Sequence, residues 1–309
     1  MDGENMGFQS LTTESINPNT VDIDNMTTLE MVSIINKEDR KVTEAIEKIL
    51  PEITQAVDAV YEAIIEGGRV FLVGAGTSGR LGVLEAAELP PTYGIEPNLF
   101  QALIAGGEQA IFKSIESAED NEDLGKKDLQ IKGLHNSDIV IGIAASGRTP
   151  YVIGALQYAK QEKAKTIALT CNENSRIGSM ADIKIEIVSG PEVISGSTRM
   201  KSGTAQKLVL NMITTSSMIK LGKVYQNLMI DLNISNAKLK KRAINILKTV
   251  TNTDEATANK ALLASNFSVK KAIVMLKKQV DADVASKLLE KAEGYVRKAI
   301  QLDIQSLEK

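Results

Sequence analysis

The 309-residue chain has a formal net charge of −3, which gives no reason to expect nucleic-acid binding; its one cysteine, Cys171, excludes an intramolecular disulfide and fits a reducing compartment. A single histidine, His135, removes most zinc constellations, and 4% aromatic content without tryptophan removes a stacking platform for bases or free sugars. No secretory h-region and no run of about 18 apolar residues occurs, so the chain is expected to be cytoplasmic and off the membrane. Its chemistry is then left to carboxylates, hydroxyls, amines and backbone amides, without a metal.

Residues 1–25 are polar and contain Asn17-Pro18-Asn19, an irregular arm with a turn. Thr27-Thr28-Leu29-Glu30 has the capping-box pattern and opens a helix expected to end near Asn36. From Asp39 to Glu66 apolar residues recur at helical spacing, with Pro51 marking either a break or a new first turn, until Gly67-Gly68. Five Val/Ile/Leu-rich runs follow: Arg69–Val73, Leu99–Ile104, Asp138–Ala144, Thr166–Thr170 and Ile183–Ile187. Helical patterns at 78–88, 108–131, 149–162 and 175–180 separate them. The runs do not alternate, as expected for strands covered on both faces. The chain therefore reads as α/β, a doubly wound five-stranded parallel sheet of flavodoxin-like kind, with ligands at the carboxyl ends of the strands. A long helix is expected from 200 to 221. Beyond Ser235 only helices are expected, at 236–250, 254–264, 268–278 and 282–303, with Ser268 as an N-cap. The organisation expected is an N-terminal arm and helices over 1–66, the α/β domain over 67–230, and a helical subdomain over 231–309.

Three turns concentrate glycine and hydroxyl residues. Val70–Val73 breaks into Gly74-Ala75-Gly76-Thr77-Ser78-Gly79-Arg80, a strand end running into a helix N-terminus, where free N–H groups and the helix dipole seat an anion. Gly76, Thr77, Ser78 and Gly79 would form that seat. The string also satisfies Gly-x-Gly-x-x-Gly. A dinucleotide site, however, wants an acidic residue closing the second strand, and Ala105-Gly106-Gly107 stands there. The second turn is Ser146-Gly147-Arg148-Thr149 before Pro150, a residue suited to the first helical position. The third, Ser195-Gly196-Ser197-Thr198-Arg199, precedes the long helix. Together they could offer amide and hydroxyl donors to one phosphomonoester; singly, each is equally an ordinary helix cap.

Gly-x-Gly-Thr-Ser and Ser-Gly-x-Thr after the first and third strands look like the sugar isomerase (SIS) phosphosugar-binding domain. The longer strings Gly74–Gly94, Leu103–Glu108, Glu116–Asp120 and Gly190–Lys207 closely resemble the N-acetylmuramic acid 6-phosphate etherase family. Leu11-Thr12-Thr13-Glu14, Asn17-Pro18 and the helical tail fit the same family, so the resemblance spans nearly the whole chain. It implies a fold similar to the regulatory protein of glucokinase, with a UBA-like tail. It also implies a cofactor-free carbon–oxygen lyase that cleaves the lactyl ether of N-acetylmuramic acid 6-phosphate in cell-wall amino-sugar recycling. A homodimer with sites near the subunit interface is implied as well. The phosphosugar would lie against Gly76, Thr77, Ser78, Gly79, Ser146, Gly147, Arg148, Thr149, Ser195 and Ser197.

Eliminating lactate from C3 requires removal of the C2 proton, acidic only when C1 is an open-chain aldehyde, and protonation of the departing ether oxygen. Two carboxylates serve when their surroundings separate their pKa values. Glu88 and Glu119 match the family's catalytic glutamates, Glu88 as the acid and Glu119 as the base. Helical rise puts Glu88 roughly 15 Å from the anion seat, which is long unless it serves a neighbouring subunit or the helix starts later or bends. Leu89-Pro90-Pro91 is expected to stop that helix. Glu85 reads as structural, and Glu116, Asp120, Glu122 and Asp123 as an acidic surround for Glu119. Arg148 and Lys201 are candidates for the phosphate, for the lactate carboxylate, or for neither. His135 reads as a loop residue and Cys171 as buried filler. A phosphosugar isomerase and a non-catalytic sugar-phosphate sensor would share the same cup.

Overall fold

A computed structural model describes residues 11–234 and 236–308. Helix α1, Thr28–Glu47, starts at a capping box: Thr27 Oγ1 accepts from Glu30 N at 3.4 Å and Thr27 N donates to Glu30 Oε2 at 2.8 Å. It continues past Asn36, where an end was expected, because residues 36–39 hold no glycine or proline and Glu38 turns inward as a fully buried side chain. The break falls at Lys48-Ile49, and Pro51 lies in the first turn of α2, Leu50–Ile65, where its missing N–H costs nothing.

The following elements alternate: β1 Val70–Gly74, α3 Gly76–Tyr93, β2 Phe100–Ile104, α4 Gln109–Phe112, α5 Glu116–Glu119, α6 Glu122–Ile131, β3 Ile139–Ile143, α7 Pro150–Gln161, β4 Lys165–Thr170, α8 Arg176–Met180, β5 Ile183–Glu186 and α9 Lys201–Lys220. The strands form a parallel sheet in the order β2-β1-β3-β4-β5, with Val70 opposite both Phe100 and Ile139. Every residue of β1 and β3 is buried, the physical basis of their unalternating apolar runs. Gly142 of β3 is required: a Cβ there would stand 2.7 Å from Val152 Cγ1, so α7 lies close against the sheet. Phe71, Val73, Val140, Tyr151 and Leu156 centre this core. With β1 flanked by β2 and β3, the chain leaves the sheet in opposite directions after β1 and β3, which opens a ligand crevice at their carboxyl ends.

The helix expected over 108–131 is three short ones. Extended backbone at Lys113 ends α4, and Asn121 caps α6 by accepting from Leu124 N at 3.0 Å.

The chain divides into two compact units, one of residues up to Ala87 with Pro97–Thr214, the other of Glu88–Glu96 with the chain from Thr215 onward. In the second unit a short hairpin, β6 Val224–Tyr225 and β7 Leu228–Met229, precedes α10 Ala237–Thr251, α11 Glu255–Ala264, α12 Val269–Lys278, α13 Ala282–Lys291 and α14 Val296–Gln301. Leu247, Leu262, Ile273 and Leu288 form its core. The last helix expected, 282–303, is split at Glu293-Gly294, both in the left-handed region, with Gly294 N donating to Leu289 O. Pro90 and Pro91 do not stop α3, contrary to expectation. They fall in its final turns, where Thr92 Oγ1 donates to the Glu88 carbonyl at 2.7 Å, and the end comes at Gly94, with φ +59°. Only glycine fits at 94: a Cβ would stand 2.2 Å from the Asp231 carbonyl oxygen. Among the described residues no helix is long and apolar enough to cross a membrane.

Candidate functional site

At the carboxyl end of β1 the backbone turns through Gly76, φ +51°, straight into α3. Gly79 N donates to Ala75 O, so the N–H groups of Gly76, Thr77 and Ser78 precede the first such helical bond and are available to an anion. The tightness of the turn explains the glycines. A Cβ on Gly79 would meet Ile104 Cγ1 at 2.6 Å and Gly74 O at 2.7 Å. Ser78 is buried, and its hydroxyl donates to Gln206 Oε1 of α9 at 2.9 Å. The Thr77 methyl lies 3.4 Å from where a Cβ on Gly203 would stand, so the start of α9 packs on the first turn of α3. Gln206 Nε2 is buried with no partner among the described residues.

The second turn follows β3. Gly147 has φ +68°, and a Cβ there would stand 2.4 Å from Ser175 Cβ, so only glycine lets this turn sit on the α8 start. Arg148 N donates to Ser146 Oγ at 3.2 Å. Thr149 is the buried N-cap of α7 and makes no side-chain cap bond; Pro150 takes the first helical position.

The third turn is tied to the N-terminal arm. Ser195 Oγ donates to the Glu14 carbonyl at 3.0 Å, and Gly196 N to the Thr13 carbonyl at 3.3 Å. Met200 N donates to the Ser197 carbonyl. The N-terminus of α9 beyond it already holds a carboxylate: Glu192 accepts from Lys201 N, Ser202 N and Ser202 Oγ at 2.8–2.9 Å. Asn172, after β4, joins the arm to the second turn, its Nδ2 donating to Thr13 Oγ1 at 3.1 Å and to the Ala145 carbonyl at 3.0 Å. Thr13, Asn172, Glu192 and Gln206 are not singled out in the sequence; Thr13, Glu192 and Gln206 stand inside the family strings, which is the one signal there, and Asn172 leaves none.

Glu119 ends α5, one residue after the buried Ala118, and its side chain is exposed at the surface. Partial burial of its carboxyl, with the negative charges of Asp120 and Glu116 alongside, raises its pKa above the ordinary carboxylate value. Glu88 lies on α3 within the second unit, exposed. Glu85, one turn earlier and in the first unit, is buried and accepts from Thr214 Oγ1 and Lys207 Nζ. Lys201 is fully buried, donating to Glu38 Oε2 at 2.9 Å and to the Ser189 carbonyl at 3.0 Å, so its ammonium is engaged inside the protein. His135 is an exposed loop residue beside Asp138, and Cys171 is buried.

Comparison with known proteins follows these features along the chain. Residues 52–160 match the glucokinase regulatory protein N-terminal SIS domain, 120–216 the SIS domain, and 226–292 the C-terminal lid domain of glucokinase regulatory protein. The chain is 55% identical over 299 residues to N-acetylmuramic acid 6-phosphate etherase 1 of Bacillus licheniformis, covering 97% of this chain and 98% of that one. It is 53% identical over 298 residues to the N-acetylmuramic acid 6-phosphate etherase of Clostridium beijerinckii, covering 96% and 98%. For the Bacillus subtilis etherase the identity is 51% over 298 residues, covering 96% and 98%.

Proposed function

Because the chain belongs to the N-acetylmuramic acid 6-phosphate etherase family, we propose that it is a lyase cleaving the D-lactyl ether of N-acetylmuramic acid 6-phosphate, with Glu88 and Glu119 as its acid and base. The products are N-acetylglucosamine 6-phosphate and D-lactate, and the reaction recovers amino sugar from cell-wall fragments. The observation that carries the reading is identity above half over nearly the full length of named etherases.

The chemistry proceeds on the open-chain sugar, with the phosphoryl group on the α3 N-terminus and the Ser146–Thr149 turn. Glu119 takes the C2 proton. As the C3–O bond breaks, the ether oxygen receives a proton from Glu88 and lactate leaves, with a C2=C3 double bond conjugated to the C1 aldehyde. Water then adds its oxygen at C3 and C2 regains a proton. The raised pKa of Glu119 suits the base role, since a carboxylate of ordinary acidity is a weak base near neutral pH. Ser195 and Ser197 complete the cup from the third turn. Glu88 is exposed and open to a neighbouring subunit's site, so a homodimer is part of the proposal, as is a cytoplasmic setting, where phosphorylated sugars are made.

The purified protein incubated with N-acetylmuramic acid 6-phosphate tests this. Lactate and N-acetylglucosamine 6-phosphate should appear in equal amounts, and Glu88→Gln and Glu119→Gln should each lower turnover by roughly a thousandfold while still binding the sugar product. Unchanged substrate would overturn the lyase reading, formation of an epimer or ketose would mark an isomerase, and full activity in both variants would remove the two glutamates from the mechanism.

A further inference from the structure

Arg80 closes the Gly74–Arg80 string, where an arginine beside a helix N-terminus reads as a phosphate ligand. Its guanidinium is turned elsewhere. Nε donates to the carbonyl of Ile111 at 2.9 Å and Nη2 to that of Lys113 at 3.3 Å. These carbonyls stand at the C-terminal end of α4, where C=O groups lack helical donors, and a guanidinium supplies two N–H groups in a fixed fork. From the other side Gly106, φ +90°, admits Ile115 to within 3.1 Å of where a Cβ would stand. Ala118 is buried in the core. The span from Ile111 to Ala118 is thus pinned at three places, and the next residue is Glu119.

We infer that Arg80 is a positioning residue for the elimination. It ties the segment that ends in the C2 base to the helix turn that seats the phosphoryl group. Seating the phosphate and presenting Glu119 to C2 then become one geometrical event. The inference rests on the base assignment proposed above. Lysine cannot substitute, because a single ammonium does not hold two carbonyls in a fixed relation. Without the fork, the span leading into α5 loses one of these three ties, and a base displaced by a fraction of an ångström is already inefficient.

The test compares Arg80→Lys and Arg80→Met with the wild-type protein in kcat, KM, affinity for N-acetylglucosamine 6-phosphate by titration calorimetry, and the pH dependence of kcat. In both variants kcat should fall by roughly thirtyfold or more while product affinity stays within about threefold. The acidic limb of kcat should move to lower pH, because a loosened Glu119, still facing Glu116 and Asp120, gains water around its carboxyl. Product affinity falling in step with kcat/KM would make Arg80 a phosphate ligand and overturn the inference, as would an unchanged kcat. Should Arg80→Met fail to melt cooperatively, Arg80→Lys carries the test. A wild-type protein without lactate release, or a fully active Glu119→Gln, sinks the functional reading and this inference together. An Arg80→Lys enzyme of wild-type kcat sinks only the latter.

Discussion

Lys201 of α9 and Glu38 of α1 form an ion pair at 2.9 Å in which neither side chain is more than 1% exposed. Asn17, Asn19 and Lys41 complete the ring around Glu38, so the pair ties the N-terminal arm to the α9 start. Removing one charge leaves the other buried, so Lys201→Met should cost about 3–5 kcal/mol in denaturant unfolding, with the double variant Glu38→Met/Lys201→Met recovering part of the loss. Burial alone would raise the Glu38 pKa, but the bonds from Lys41, Lys201 and Asn17 hold it down at about 2, below its ordinary 4.5. A depressed carboxyl pKa contributes stability that is complete above 4.5 and lost as the pH falls toward 2. Thermal melts across that window should fall steeply for the wild type and more gently for Glu38→Gln. A Lys201→Met protein of unchanged stability but lost product binding would instead restore Lys201 as a ligand.

The activity profile should carry the mark of Glu119. A base must be ionised to act, so a raised pKa places the acidic limb of kcat/KM above the 4.5 of an ordinary glutamate. Asp120 and Glu116 account for part of that rise, so Asp120→Asn with Glu116→Gln should move the limb to lower pH. The displacement should shrink in high salt, since these side chains are exposed. A limb that ignores both substitutions would separate Glu119 from the base role.

Much of this architecture is legible in the sequence because its signals are local. Val70–Val73 and Ile139–Ile143 read as strands since both faces are covered, and the Gly74–Gly79 string reads as a helix start since only glycine fits at both its ends. What escaped depends on partners far along the chain. The hydrogen bond from Ser78 to Gln206 spans 128 residues, and that from Asn172 to Thr13 spans 159; no periodicity reports either. Pro90 and Pro91 misled for a different reason. A proline breaks a helix by displacing the carbonyl four residues before it; here that touches only the Ala86 and Ala87 carbonyls. The turn beyond is closed by Thr92 Oγ1 on the Glu88 carbonyl and by Gly94 N on the Pro90 carbonyl, so the helix runs on to Tyr93. The β6–β7 hairpin, two residues a side, is too short for any alternation to register.

Glu85 and Glu88 stand three residues apart on α3 yet should respond oppositely to substitution. Glu85 is 5% exposed and bound by Thr214 and by Lys207, which also donates to Asn211 Oδ1 at 2.7 Å. Glu85→Gln should therefore lower the melting temperature while kcat stays within several-fold. Lys207→Met, which strands the Glu85 carboxylate, should cost about 2 kcal/mol, the partial exposure of the lysine holding the loss below that of a fully buried pair. Glu88→Gln should do the reverse, losing turnover at an unchanged melting temperature. Equal loss of activity in Glu85→Gln at full stability would move the acid role to Glu85.

Cys171 offers a probe of how tightly the α9 start is held. The thiol is 1% exposed and donates to the Ser202 carbonyl at 3.7 Å, directly behind the helix turn that Glu192 caps. Burial, aided by the Glu192 charge, pushes its pKa up to about 12, so at neutral pH no thiolate is present to attack. In the native protein a thiol-reactive disulfide reagent should leave Cys171 unmodified over hours, with labelling keeping pace with unfolding when denaturant is added. Glu192→Ala removes acceptors for Lys201 N, Ser202 N and Ser202 Oγ at once, which should loosen the α9 start and speed labelling at least tenfold, as an opening less costly by about 1.4 kcal/mol would. Rapid labelling of the untouched native protein would mean that the turn opens readily and that Glu192 does not hold it shut.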